Sequence, residues 1–106
     1  MDNNYFNEPL EHDGQLWLTA EQLGENLGLE NPTQDVYKLY MLHVNDFYRL
    51  SKVIPVTYPK YLATTRVFSL HGCLAMAFLV DTPKSRHFRR KLAMTLQKVK
   101  INQAVL

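Results

Sequence analysis

The segment Leu70–Val80 is apolar on nearly every side, and it constrains the fold more than any other part of the chain. A helix without a polar face must be covered by other elements, because exposed apolar surface is unfavourable in water. Ser69 precedes the segment and is a typical N-cap residue. We therefore predict a central helix from Leu70 to about Val80. A chain of 106 residues can supply one such core, so we predict a single domain.

A strand and a short helix are predicted ahead of the central helix. The turn signal Asp13-Gly14 is followed by Gln15–Leu18, which we predict to be a short strand. Thr19 and Gln22 have the spacing of a capping box, which predicts a helix from about Ala20. Gly28 is placed to end this helix in a left-handed conformation.

A second helix is predicted to start at Asn31-Pro32, which supply an N-cap and a proline at the first helical position. It should end near Val44. Its apolar stripe repeats at helical spacing through Val36, Leu39, Tyr40 and His43.

Two β-branched stretches, Lys52–Thr57 and Thr64–Phe68, predict a β-hairpin. Pro55 cannot donate a backbone hydrogen bond, which places its strand at a sheet edge or at a bulge. The loop between the strands is predicted to project as a contact surface, with a simple connecting tip as the alternative. The residues of this predicted tip are Tyr58, Lys60 and Tyr61.

The last helix is predicted to open at Asp81-Thr82-Pro83 and to be strongly basic. One apolar stripe runs along it, through Phe88, Leu92, Leu96 and Val99. The remaining surface carries cations, and no acidic residue follows Asp81. The cations taken as candidates for binding nucleic acid or an acidic partner are Lys84, Arg86, Arg89, Arg90, Lys91 and Lys98.

These elements together predict an α+β fold, a small domain of about four helices with a short N-terminal strand and a β-hairpin. Residues 1–14 are predicted to form a polar N-terminal arm, either loose or containing a short edge strand. Residues 15–100 form the domain, and residues 101–106 a short C-terminal tail.

The charges are divided sharply along the chain. Residues 1–37 contain eight acidic residues and no lysine or arginine, whereas residues 38–106 contain twelve basic residues and two acidic ones. Such a division favours an electrostatically complementary partner, including a second copy of the chain, although solvated charge without a partner would look the same. The acidic residues taken as a candidate partner-binding face are Glu21, Glu25, Glu30 and Asp35.

The first two helices and the turn between them have the spacing of a helix-turn-helix, which is typically a DNA-reading element. Their charge argues against that use, because the stretch from Thr19 to Tyr37 contains four carboxylates and no cation. DNA binding requires cations that neutralise phosphates. Two helices that simply pack into the core are the simpler interpretation.

The sequence predicts no catalytic residues, no metal site and no cofactor. The four histidines and Cys73 lack the spacings typical of metal ligands, and there is no glycine-rich phosphate loop. Cys73 is interpreted as a small buried apolar residue. The lone cysteine excludes an intrachain disulfide, and no apolar run is long enough to span a membrane. We expect a cytoplasmic protein that binds a macromolecule and is not an enzyme.

Three blocks of the sequence, in this order and spacing, resemble the N-terminal domain of phage antirepressor proteins, which is related to the BRO N-terminal domain of viral regulators. The blocks are Leu18–Gly24 with Leu27 and Gly28, then Asn31–Gln34 with Val36 and Lys38–Tyr40, and then Val67–Gly72 with Thr82–Lys84 and Phe88–Arg90. The resemblance covers roughly residues 15–96. Relatives often have a tryptophan after the last block, where this chain has Lys91 and Leu92.

The resemblance implies a phage or prophage regulator in a bacterial cytoplasm, acting on the switch between lysis and lysogeny. It implies two activities, binding a phage repressor to inactivate it and binding DNA. The acidic helix pair favours the first, since a repressor presents a basic DNA-binding face. The basic last helix favours the second. We predict repressor binding, with DNA binding as the alternative and a homo-oligomer as a third arrangement.

Overall fold

The computed structural model describes the backbone of residues 9–58 and 61–105, and the side chains of residues 9–55 and 64–98. Four strands, four α-helices and one short 3-10 helix, Val44–Phe47, lie in these ranges. The strands and α-helices are β1 (Leu10–His12), β2 (Gln15–Thr19), α1 (Ala20–Asn26), α2 (Pro32–Leu42), β3 (Ser51–Tyr58), β4 (Tyr61–Ser69), α3 (Leu70–Ala77) and α4 (Pro83–Val105). The predicted α+β class is confirmed.

Local capping interactions start helices α1 and α3 where the sequence predicted. The Thr19 hydroxyl accepts a hydrogen bond from the backbone N–H of Gln22 at 3.1 Å, and the Gln22 side chain accepts one from the backbone N–H of Thr19 at 2.9 Å. The Ser69 hydroxyl accepts from the N–H of Gly72 at 3.1 Å. Gly28 has a φ of 72°, the left-handed conformation expected after α1. The predicted capping box is therefore confirmed.

Helix α2 begins at Pro32 after Asn31, as predicted, but its capping interaction and its C-terminal end differ from the prediction. The Asn31 side chain makes no capping hydrogen bond. Instead the carboxylate of Asp35 accepts one from the backbone N–H of Asn31, at 3.1 Å. The helix ends at Leu42, and the 3-10 helix Val44–Phe47 follows it. The sequence did not predict this turn, although Phe47 is buried.

The sheet is antiparallel, with strand order β1-β2-β4-β3. Strand β3 is an edge strand, which confirms the placement inferred from Pro55. Strand β1 at the other edge matches the edge-strand alternative for the predicted N-terminal arm, of which residues 1–8 lie outside the described part of the chain.

The β-hairpin is longer than predicted, because β3 extends to Tyr58 and β4 starts at Tyr61. These two residues pair in register, so only residues 59 and 60 lie between the strands. The predicted connection between Thr57 and Thr64 is therefore too long. Of the predicted tip surface, Lys60 and the side chains of Tyr58 and Tyr61 lie outside the described residues. At the other end of the chain, residues 101–105, predicted as a tail, continue α4.

The two faces of the sheet have different roles. Leu18 and Phe68 are register partners on β2 and β4, and both belong to the main core beneath the helices. Their neighbours Trp17 and Val67 point to the opposite face, because successive side chains of a strand alternate. They form a second, smaller cluster with Ile54.

Helix α3 lies in the main core, as predicted. The core joins it to the other helices and to the inner face of the sheet, and its fully buried large side chains include Leu23, Leu27, Val36, Phe68, Met76, Phe88 and Leu92. The ring of Phe68 packs edge-on against Phe47 at 5.7 Å between centroids.

Helix α3 is shorter than the sequence predicted. It ends at Ala77, where the chain turns towards α4. Phe78 and Leu79, predicted to be part of the buried helix, are consequently 66% and 38% exposed.

Helices α1 and α2 approach each other most closely at Gly24. A Cβ atom at Gly24 would lie 2.4 Å from the carbonyl oxygen of Pro32 and 2.5 Å from its Cα. Only glycine leaves room for the backbone of α2 at this distance. The crossing fixes the start of α2 against the middle of α1.

Candidate binding surfaces

The predicted acidic residues gather around the junction between α1 and α2, and we call them the acidic surface. Glu21 and Glu25 lie one turn apart on the same side of α1, Glu30 lies in the connection, and Asp35 lies in the first turn of α2. The three glutamates are exposed and Asp35 is half-buried. Because α2 begins against Gly24, the four positions belong to one region of the molecule.

Two of these carboxylates are available to a partner. In the described part of the chain, Glu21 and Glu30 make no hydrogen bond or ion pair. Asp35 is already engaged by the Asn31 N–H. Glu21 and Asp35 also lie in the first turns of their helices, where the helix dipole favours negative charge. Part of the acidic surface therefore stabilises the fold.

The inner sides of helices α1 and α2 pack into the main core. Leu23, Leu27 and Val36 are fully buried in the main core, and Gly24 is closed off by Pro32. Both interpretations of the helix pair require this packing, so the choice between them stays a prediction.

The six predicted cations of α4 fall on two different faces of the helix. Arg86, Arg89 and Arg90 have the spacing i, i+3 and i+4, so they share one face. The three lysines are each seven residues apart, which places them along a second line, Lys84, Lys91 and Lys98. The basic helix thus presents an arginine face and a lysine line.

The arginine face forms one wall of an open groove between α3 and α4, of about 500 Å³. We call it the α3–α4 groove, and it is lined by Leu74, Phe78, Arg86, Arg89, Arg90 and Ala93. The guanidinium of Arg89 lies over the ring of Phe78, 5.1 Å from its centroid. Arg86 forms an ion pair with Asp81 at the start of the helix.

The apolar half of this groove was not among the predicted site residues, and it consists of Leu74, Phe78 and Ala93. A signal was present for Ala93, because it continues the arginine spacing at i+7 from Arg86. No comparable signal identified Phe78, whose exposure follows from the early end of α3.

The first residue of the lysine line lies against the C-terminal end of α1. A Cβ atom at Gly28, just after α1, would lie 3.1 Å from the Cβ of Lys84. The two ends of the charge division in the sequence are therefore neighbours in space at this point.

A smaller charged cluster joins the β1–β2 turn to β3. The ammonium of Lys52 lies 2.9 Å from the carboxylate of Asp13 and 2.8 Å from Nδ1 of His12. It also lies over the Trp17 ring, 4.4 Å from the centroid. The hydrogen bond from Lys52, followed by the charge of His12, lowers the pKa of Asp13 from its ordinary value. The cluster ties the two edges of the sheet together.

Cys73 is fully buried in the main core, and burial raises the pKa of its thiol. Its Sγ donates a long hydrogen bond to the carbonyl of Phe68, at 3.7 Å. Among the residues whose positions are described, no three His, Cys, Asp or Glu side chains group as metal ligands would. The absence of an enzymatic activity stays a prediction.

None of the helices in the described ranges combines the length and the apolar composition needed to cross a membrane. Comparisons with protein-family models, with curated proteins and with solved structures found no match to this chain.

Proposed function

We propose that this protein is a phage or prophage regulator that binds a transcriptional repressor and inactivates it, so that lytic genes are expressed. The proposal rests on the sequence blocks that resemble antirepressor N-terminal domains and on the acidic surface. The single observation that supports it most is the grouping of four carboxylates around the α1–α2 junction, in a stretch of sequence without a lysine or arginine.

The chemistry of the acidic surface suits a basic protein partner. The face with which a repressor binds DNA carries cations, because it must neutralise phosphates. An acidic surface that covers this face would compete with DNA for the same cations. Glu21 and Glu30 contribute most under this proposal, since neither is paired within the described part of the molecule.

Direct DNA binding through α4 is the second candidate. One observation favours it: α4 carries six candidate cations, and no acidic residue follows Asp81 in the sequence. The opposing consideration is that the lysine line begins against the C-terminal end of the acidic helix α1, at Lys84 next to Gly28. Carboxylates close to a phosphate-binding line weaken the binding of DNA.

The test measures, with the same purified domain, binding to the repressor and release of the repressor from DNA. Calorimetry measures binding to the repressor encoded by the same phage genome, and a gel-shift assay measures whether the domain removes that repressor from its operator. We expect a complex and loss of the repressor–operator band. The variant Glu21→Lys/Glu30→Lys should abolish both effects, whereas Glu11→Lys, an exposed acid on the edge strand β1, should leave them unchanged.

The DNA candidate is measured in parallel on the same operator duplex without the repressor. Binding through several phosphate contacts would weaken steeply, by a factor of about 10³ or more between ~50 and ~200 mM salt. Salt-sensitive DNA binding without any repressor binding would overturn the antirepressor proposal. A complex of the domain with itself, seen by size-exclusion chromatography and lost in high salt, would instead indicate pairing of the acidic and basic surfaces.

A further inference from the structure

The α3–α4 groove combines three properties that the proposed function does not use. It is open to solvent, part of its lining is apolar, and three arginines supply the rest of the lining. We propose that the groove is a second binding site, for an acidic segment of a protein partner that inserts a bulky apolar side chain. This inference does not depend on repressor binding by the acidic surface.

The apolar part of the groove includes a large aromatic side chain that is exposed to solvent. Phe78 is 66% exposed, although it directly follows the buried helix α3. Leu74 and Ala93 continue the apolar lining between the helices. Exposed aromatic side chains beside arginines are typical of the centres of protein interfaces. A bulky apolar side chain of a partner would cover Phe78 and remove it from water.

The charge of the groove requires an acidic partner. Asp81 pairs with Arg86, and within the described ranges no carboxylate pairs with Arg89 or Arg90. The Nε of Arg89 is buried and has no hydrogen-bond partner there. A guanidinium held in place over an aromatic ring leaves a partly desolvated positive charge that a carboxylate would compensate.

A protein segment fits this groove better than DNA does. The three cations that line the groove are all arginines, which form two parallel hydrogen bonds with carboxylates and phosphates alike, so the choice between the two partners rests on Phe78. The lysines, which bind phosphate as point charges, follow a different line of α4. Phosphates would leave the Phe78 ring exposed, whereas an amphipathic acidic segment meets both halves of the groove.

The experiment selects the partner's chemistry without assuming its sequence. A library of random peptides displayed on phage is selected against the intact domain, and the recovered peptides are synthesised with a fluorescent label. We expect peptides rich in Asp and Glu that contain at least one Leu, Phe or Trp. Recovery of no binding peptides, or of peptides without acidic residues, would overturn the proposal.

Matched variants then locate the binding. Arg90→Glu should lower the affinity for the peptides by about 10- to 30-fold. Lys98→Glu makes the same charge change on the lysine line and should have little effect on the affinity. Phe78→Ala should lower the affinity for the peptides by a similar factor. Its control is Tyr48→Ala, because Tyr48 is also exposed, at 73%, and also lies beneath an arginine, Arg49.

Thermal unfolding of each variant shows that the fold is intact, and both aromatic substitutions remove exposed side chains. Equal weakening by Arg90→Glu and Lys98→Glu, together with displacement of the peptides by a mixed-sequence DNA duplex, would indicate a phosphate-binding surface and overturn the proposal. Peptide binding that survives Arg90→Glu would do the same. The variant Glu21→Lys/Glu30→Lys should bind the peptides with native affinity. Peptide binding therefore tests the groove independently of whether the acidic surface binds a repressor.

Discussion

The hydroxyl of Thr82 donates a 2.6 Å hydrogen bond to the backbone carbonyl of Leu27, 55 residues earlier in the chain. The same hydroxyl accepts a hydrogen bond from the backbone N–H of Ser85, at 2.9 Å, and so caps the start of α4. One side chain therefore starts the basic helix and attaches it to the end of the acidic helix α1. This relationship brings the two halves of the charge division together.

Replacing Thr82 by valine should destabilise the protein by about 2 kcal/mol, because the N-cap of α4 and the partner of the Leu27 carbonyl are both lost. The melting temperature should fall by roughly 10 °C for a domain of this size. Differential scanning calorimetry measures the change. Thr82→Ser keeps the hydroxyl and should cost less than about 1 kcal/mol. Equal melting temperatures for the two variants would show that the hydroxyl does not join the helices.

Replacing Gly24 by alanine should destabilise the protein although alanine is the better helix former. The new Cβ would lie 2.4 to 2.6 Å from backbone atoms of Pro32, so α1 and α2 would have to separate. We expect a net loss of up to about 2 kcal/mol, since strain of roughly 1–3 kcal/mol is offset by a gain of about 1 kcal/mol in helix propensity.

Urea unfolding monitored by circular dichroism provides the measurement. Glu21→Ala on the exposed side of the same helix serves as the control and should cost less than about 1 kcal/mol. Should Gly24→Ala prove more stable than the native protein, the close crossing of the helices would be wrong.

The Asp13–Lys52 contact should give a pH-dependent contribution to stability. The pKa of Asp13 is lowered in the folded protein from its ordinary value of 3.8, so the contribution is present above that value and is lost as the pH falls through the folded pKa. Asp13→Asn should therefore lower the melting temperature at about pH 7 and have almost no effect near pH ~2.

Asparagine is a suitable replacement because Asp13 has a φ of 54°, a conformation that asparagine tolerates. The effect should be small, since the carboxylate is exposed to solvent. In a Lys52→Met background the effect of Asp13→Asn on the melting temperature should be smaller, because the main partner of Asp13 is absent. The native protein and the Asp13→Asn variant should therefore differ more in melting temperature at pH ~7 than at pH ~2. An equal difference at both pH values would show that folding does not lower the pKa of Asp13.

Cys73 should be unreactive in the folded protein. Its side chain is fully buried and burial raises the pKa of its thiol, so thiolate, the reactive form, is scarce and inaccessible. A chromogenic disulfide reagent should label the thiol only at the rate at which the core opens, and rapidly in concentrated urea. Rapid labelling without denaturant would place Cys73 at the surface.

Several features of the fold were predictable because their causes are local. The capping box of Thr19 and Gln22 closes within one helical turn, and so does the cap formed by Ser69. Pro55 identifies its strand as an edge strand because a residue without an N–H cannot pair on both sides. By contrast, the 3-10 turn at Val44–Phe47 has no comparable local signal, and the packing of Phe47 against Phe68 is a contact between distant parts of the sequence.

The candidate surfaces were predictable to a different extent. The sequence by itself determined the division of charge, the helices that carry it and the separation of the arginines from the lysines, because a helix of fixed period assigns side chains to faces. Only the tertiary structure decided that α1 crosses α2 at Gly24, that Phe78 stays in solvent, and that the arginine face turns towards it. Those outcomes depend on packing between residues far apart in the chain, and no local pattern specifies which face of one helix meets which face of another.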